Sequence, residues 1–137
     1  MLMPFSATWY IKDEIIYTRY WGVVSTEDLR NCLLETQALM EQSPRSIIHV
    51  ISDVGDVTEP VPMKDTMQIV REIGPHPRAG WTVNIREKSN LIKMGAALGS
   101  SIFKLRFRAF STLDQAIAHL KFFDSAISWD KTEKPAA

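Results

Sequence analysis

The chain predicts an α/β domain built on a mainly parallel, mixed sheet with crossover helices, in the order β-β-α-β-α-β-α-β-α. Three observations carry this prediction. From residue 25 onward, short β-branched and aromatic runs alternate with segments of helical apolar spacing. The first two runs are separated by two polar residues, the distance of an antiparallel hairpin. A length of 137 residues, 45% hydrophobic and 23% charged, is one domain's worth of chain with enough apolar content for a core.

The first strand is Ala7-Thr8-Trp9-Tyr10-Ile11-Lys12, and Asp13-Glu14 breaks it. The second runs from Ile15 to Trp21 and stops at Gly22. Ser25-Thr26-Glu27-Asp28 opens a helix, with a hydroxyl cap and early acids that suit the positive end of the helix dipole. Leu29, Cys32, Leu33, Thr36, Leu39 and Met40 recur at helical spacing, which places Cys32 on the buried stripe, and Ser43-Pro44 ends the helix. Ile47 to Ser52 is an apolar run of the kind buried on both faces of a sheet, followed by a polar loop from Asp53 to Pro60. Pro62 suits the first turn of a second helix carrying Met63, Met67, Ile69, Val70 and Ile73, broken by Gly74-Pro75-His76-Pro77. Trp81 to Ile85 is a strand, Ser89 or Asn90 caps a third helix to about Lys104, and Arg106 to Phe110 is the last strand. Ser111-Thr112-Leu113-Asp114-Gln115 carries capping-box signals for a final helix through about Phe123. The expected organisation is an N-terminal extension over residues 1–6, a single domain over 7–124 and a partly flexible tail over 125–137.

This order resembles the STAS domain, whose founding members are bacterial anti-sigma-factor antagonists. It resembles more closely the small stand-alone SpoIIAA-like bacterial proteins, which are grouped by fold with lipid-binding SEC14 domains. The residues that carry the resemblance are Tyr20-Trp21-Gly22 closing the hairpin, Ser25-Thr26-Glu27-Asp28-Leu29, the strand Ile47–Asp53, and Phe110-Ser111-Thr112-Leu113-Asp114-Gln115-Ala116. The similarity spans about residues 7–123 and is a pattern of elements more than of invariant side chains. The family's antagonists carry a phosphorylatable Ser where the helix after the third strand begins. Here that stretch reads Glu59-Pro60-Val61-Pro62-Met63-Lys64, without a hydroxyl, and the nearby Ser52 and Thr58 do not match the motif. The phosphoserine switch is therefore not carried over.

Formal charge is zero, yet residues 1–70 hold 5 basic and 10 acidic residues, whereas residues 71–108 hold 8 basic and 2 acidic ones. Blocks of this kind create a basic face if the fold keeps them apart. The ends of parallel strands, where ligands bind in such sheets, offer Asp53, Asp56 and Glu59, then Arg86-Glu87-Lys88, then Ser111-Thr112. The three carboxylates suit a hard cation by chemistry but not by EF-hand spacing, and a solvated acidic turn is expected instead, with no metal. His49, His76 and His119 lack paired zinc-ligand spacing, and Cys32 on an apolar stripe is expected to be an inert core thiol rather than a nucleophile. A single cysteine, and an N-terminus without a basic then apolar leader, lead to the expectation of a cytoplasmic protein. No apolar run approaches the ~20 residues of a membrane span. Neither a recognition helix nor basic residues interleaved with stacking aromatics are present, so no nucleic-acid partner is expected.

The third helix carries two apolar rows: Leu91, Met94, Leu98, Ile102 and Leu105 in one, and Ile92, Ala96, Gly99 and Phe103 in the other. One sheet contact needs a single stripe. Two interior glycines, Gly95 and Gly99, weaken it further, by about 1 kcal/mol each relative to Ala. One account of the two rows is close packing on the sheet; the other is a second buried face, which makes Leu91, Ile92, Lys93, Met94, Leu98, Gly99, Ile102, Phe103 and Lys104 the expected ligand or partner surface.

The function expected is a non-enzymatic, STAS-like interaction or regulatory module, with no cofactor. Its partner would be another protein, including a second copy in a homodimer. The alternative is a carrier or sensor of an apolar, lipid-like ligand, acting at an anionic membrane surface. On the membrane reading the chain co-sediments with anionic but not neutral vesicles, and both salt and charge reversal at Lys93 and Lys104 weaken binding. A wild-type chain that ignores anionic vesicles at low salt excludes membrane docking.

Overall fold

The computed structural model describes residues 3–88 and 106–132. These form a mixed five-stranded sheet with three α-helices. The strands are β1 (Phe5–Ile11), β2 (Ile15–Val23), β3 (Ile48–Glu59), β4 (Ala79–Ile85) and β5 (Phe107–Phe110). The helices are α1 (Thr26–Gln42), α2 (Met63–Ile73) and α3 (Leu113–Phe123), with a single 3-10 turn at Trp129–Lys131. The strands lie in sequence order across the sheet; β1 is antiparallel to β2, and every later neighbour is parallel. The helix expected from Asn90 to Lys104, and with it the surface from Leu91 to Lys104, lies outside the described residues.

Local chemistry sets the helix ends where the spacing places them. Ser25 accepts from the Asp28 N–H while the Asp28 carboxylate accepts from the Ser25 N–H, a reciprocal capping box. Thr112 and Gln115 repeat it on α3. Pro62 is the N-cap of α2, one position before the expected first turn, and Gly74 closes that helix at φ +70°, a conformation that suits glycine.

Several boundaries differ from the expected ones. β2 passes through Gly22, at φ +66°, to Val23 instead of stopping there, because it pairs on with Val57 and Glu59 of β3, and β4 starts at Ala79, paired with Ile48, not at Trp81. β1 starts at Phe5, which is buried, because Phe5 pairs with Tyr20 across the hairpin. The hairpin turn holds three residues, not two: Lys12 leaves the strand and Asp13 takes φ +68°, which a short polar side chain tolerates. β3 runs on to Glu59, so Asp53–Pro60 is not a loop: Asp53, Asp56 and Glu59 are strand residues. The segment after α3 folds back on the domain. Ile127 is buried in the core, Trp129 packs on it, and the Ser128 N–H donates to Glu14.

Strand alternation divides the core into two layers. Ile15, Tyr17, Ile51, Val83 and Ile85 face α3 and pack with Ala116, Leu120 and Ile127. The opposite face meets α1 and carries two separate apolar clusters. Ile16, Ile48 and Val50 pack with Met40 at one end; Phe5, Tyr20 and Val54 pack with Cys32 and Val61 at the other.

β3 is buried along its first eight residues, so its polar side chains need partners inside the protein. His49 is held at both nitrogens. The Trp81 N–H donates to Nδ1 at 2.9 Å, which leaves the proton on Nε2 to donate to Asp124 at 2.8 Å. Arg45 grips the same carboxylate at 3.1 and 3.2 Å. Burial holds His49 below the usual imidazole range, against the opposing pull of Asp124, and burial also lowers His119.

Gly80 lies against this ring. A Cβ there would meet His49 Nδ1 at 2.5 Å and Ile47 Cγ2 at 2.7 Å. Gly80→Ala is therefore expected to displace the imidazole and to cost about 1–3 kcal/mol, a fall of several degrees in melting temperature. An unchanged melting curve would show that the ring gives way freely. The histidines also set a pH dependence. With folded-state values below the ordinary 6.5, the unfolded chain binds more protons as pH drops through that value. Stability is complete above about pH 6.5 and declines toward pH 5. Melting temperature should fall over this window in the wild type and fall less in His49→Gln; a rise on acidification would contradict the assignment.

Candidate functional site: an apolar cavity with a polar floor

Between the two apolar clusters on the α1 face, β2 and β3 each place a polar residue where its neighbours are apolar. β2 reads Ile16, Thr18, Tyr20 on this face, and β3 reads Val50, Ser52, Val54. The parallel register sets Thr18 beside Ser52 and Ser52 beside Asn84 of β4, so three polar side chains form one row across the sheet. All three are buried, Asn84 with 8% of its surface exposed.

Above this row lies a cavity of about 480 Å³, bounded by α1, α2 and the sheet. That volume falls within the ~300–1,000 Å³ typical of small-molecule sites. α2 makes this space possible: it packs chiefly against α1 and approaches the sheet less closely than α3 does on the other face. Its Met63, Met67 and Val70 roof the cavity, and Leu33 and Met40 of α1 form a wall. The loop after α2 closes one end. It is fixed by Gln37 Nε2 donating to the Gly74 carbonyl and by Arg78 Nη1 donating to the carbonyls of Met40 and Ser43.

The polar floor is incompletely satisfied. Thr18 Oγ1 and Ser52 Oγ lie 2.6 Å apart, so one hydroxyl donates to the other and the second keeps a proton without an acceptor among the described residues. The Asn84 carboxamide opens on the cavity and bonds to no described group. Several other polar groups around the space are occupied: Thr36 donates to the Cys32 carbonyl, Thr66 to the Pro62 carbonyl, and His76 bonds Glu41 at 2.5 Å, while Thr82 of β4 adds a further hydroxyl to the lining. Arg106, exposed, stands at the rim.

The strand-end carboxylates expected to line a loop do a different job. Asp53 is buried on the α3 face and accepts from Tyr17 at 3.0 Å, from Arg86 Nε at 2.9 Å and from the Gly55 N–H at 3.0 Å. Asp56 accepts from Arg19 and Arg86, both at 2.9 Å, and these guanidinium groups hold it below the usual carboxylate range. Glu59 ends the strand in solvent. Acidic and basic halves of the sequence therefore meet here, and Arg86 is neutralised rather than part of a basic face. Among the described residues no group of His, Cys, Asp and Glu is placed to hold a metal ion.

Cys32 is fully buried beside the Tyr20 hydroxyl, and burial pushes its thiol up to about 11, far from the thiolate a nucleophile requires. His119 sits among Trp81, Phe110 and Phe123, with ring centroids 4.5 to 5.3 Å apart. No helix among the described residues is long and apolar enough to cross a membrane.

The sequence reading missed the cavity and its three polar residues. The signal available was a polar residue inside each of three apolar runs: Thr18, Ser52 and Asn84. No family model matches the chain, and no curated protein matches its sequence.

Proposed function

We propose that this domain is a non-enzymatic carrier or sensor that encloses a small apolar ligand between α1, α2 and the sheet. The observation that carries this reading is the 480 Å³ cavity, walled by aliphatic and Met side chains and floored by a polar row with bonding capacity to spare. A recess of this size with mostly apolar walls and a few convergent polar groups is the form that small-molecule sites take, and buried polar groups are seldom left unmatched without a use. The flexible thioethers of Met40, Met63 and Met67 adapt to ligands of differing shape. A binding role also fits the groups that chemistry would otherwise recruit: both nitrogens of His49 are engaged, and the Cys32 thiol is held protonated.

The STAS-like relation stays part of the proposal on the order of elements, with a β-hairpin leading into alternating helices and parallel strands. Read so, ligand occupancy is the signal, and the module reports it through the helices that enclose the cavity. No phosphoserine takes part, since the start of α2 carries Pro62, Met63 and Lys64.

Mass spectrometry of organic extracts from the purified protein tests the reading. A small apolar compound in near-stoichiometric amount is expected, and Val70→Trp, which fills the cavity from α2, should reduce its recovery several-fold while the chain stays folded. Equal recovery from Val70→Trp, or an empty wild-type protein that also takes up no apolar fluorophore, would sink the proposal.

A further inference from the structure

Resting on the cavity reading, we infer that the ligand is uncharged and carries a carboxamide-type head, a hydrogen-bond acceptor and donor side by side, seated on Asn84 and the Thr18–Ser52 pair. Three features of the floor lead there. The first is the Asn84 side chain, more than nine-tenths buried, lining the cavity and unpartnered among the described residues. A carboxamide offers two N–H donors and a carbonyl acceptor in one plane, and a second carboxamide matches both at once. A hydroxyl or an ester engages only part of that capacity.

The second feature is the surplus proton of the hydroxyl pair. When Thr18 donates to Ser52 the surplus proton is on Ser52, whose backbone is the strand neighbour of Asn84, one strand spacing of roughly 4.8 Å away. A ligand carbonyl lying between them accepts from the hydroxyl pair and from the Asn84 NH₂, while the ligand N–H donates to the Asn84 carbonyl.

The third feature is the absence of charge at this floor. Among the described lining residues the basic side chains are His76, already bonded to Glu41, and Arg106 at the exposed rim. An ionised head drawn down to Asn84 would lose its hydration among floor residues that carry no charge, a large penalty that an amide avoids. The aliphatic walls then take the ligand's apolar body, directed toward α2.

Displacement of the neutral fluorophore N-phenylnaphthylamine tests the assignment, with decanamide, N,N-dimethyldecanamide and decanoate as competitors at neutral pH. Their chains are alike and only the head differs. Decanamide is expected to compete about tenfold better than either, the effect of one or two net hydrogen bonds. Asn84→Leu, which is close in size, should still bind the fluorophore but lose that preference. Ser52→Ala, a smaller change, should lose part of it, and keeps the test open if Asn84→Leu does not fold. Decanoate binding as well as or better than decanamide would overturn the assignment and point to Arg106 at the rim. Equal competition by all three would overturn it as well. A wild-type protein that takes up no fluorophore overturns the cavity reading itself, whereas uptake without amide preference overturns only the head-group assignment.

Discussion

The structure depends on β3, a strand of twelve residues whose first eight are shut off from water on both faces. A strand so placed is ordinarily a near-continuous run of Val, Ile and Leu. This one carries His49, Ser52 and Asp53 within it, and each buried polar group must be matched or its desolvation, about 1–3 kcal/mol, goes unrecovered. The matching partners come from every quarter of the domain. His49 draws in Trp81 from β4 and Asp124 from the end of α3; Asp53 draws in Tyr17 from β2 and Arg86 from beyond β4; Ser52 takes Thr18. The strand therefore specifies which elements stand beside it, a selectivity that aliphatic packing alone supplies less sharply.

The two faces of β3 use this arrangement differently. On the α3 face the polar residues of β3, His49 and Asp53, are engaged, and the surrounding Ile, Val and Leu side chains close over them. On the α1 face the bonding is left short by one hydroxyl proton and one carboxamide, and the helix above stands back from the sheet. A packed layer and an open layer share one sheet, so the closed side supplies rigidity while the other keeps room. Placing recognition groups on strands held from behind fixes them more precisely than loops do.

Much of the architecture was legible because it is local. Ser25 with Asp28, and Thr112 with Gln115, announce helix starts within four residues of sequence. The Cys32 stripe follows from helical spacing alone. Where the reading failed, the deciding contact was remote. Asp53-Val54-Gly55-Asp56 reads as a polar turn, and only Tyr17, Arg19 and Arg86, thirty or more residues away, make it a strand. Ile127 and Trp129 follow a helix end and look like a tail, yet they complete the core around Leu120. The cavity was the least legible feature, since its floor is one residue from each of three strands and its roof is defined by how far α2 stands from the sheet. Asp53 and Asp56 read as a solvated acidic turn, whereas the structure makes them part of the ion-paired seam between β2, β3 and the end of β4.

The hydroxyl pair of Thr18 and Ser52 has one further consequence. At 2.6 Å either oxygen can be the donor, so the pair has two proton arrangements that interconvert by rotating two C–O bonds. In one, Ser52 turns a hydrogen toward the neighbouring strand; in the other it turns a lone pair, and Thr18 holds the loose hydrogen. The floor is thus reversible in polarity without movement of a single heavy atom. Two guests related by exchange of donor and acceptor would meet the same backbone and the same volume. What would distinguish them is the direction in which a short chain of protons runs across the sheet.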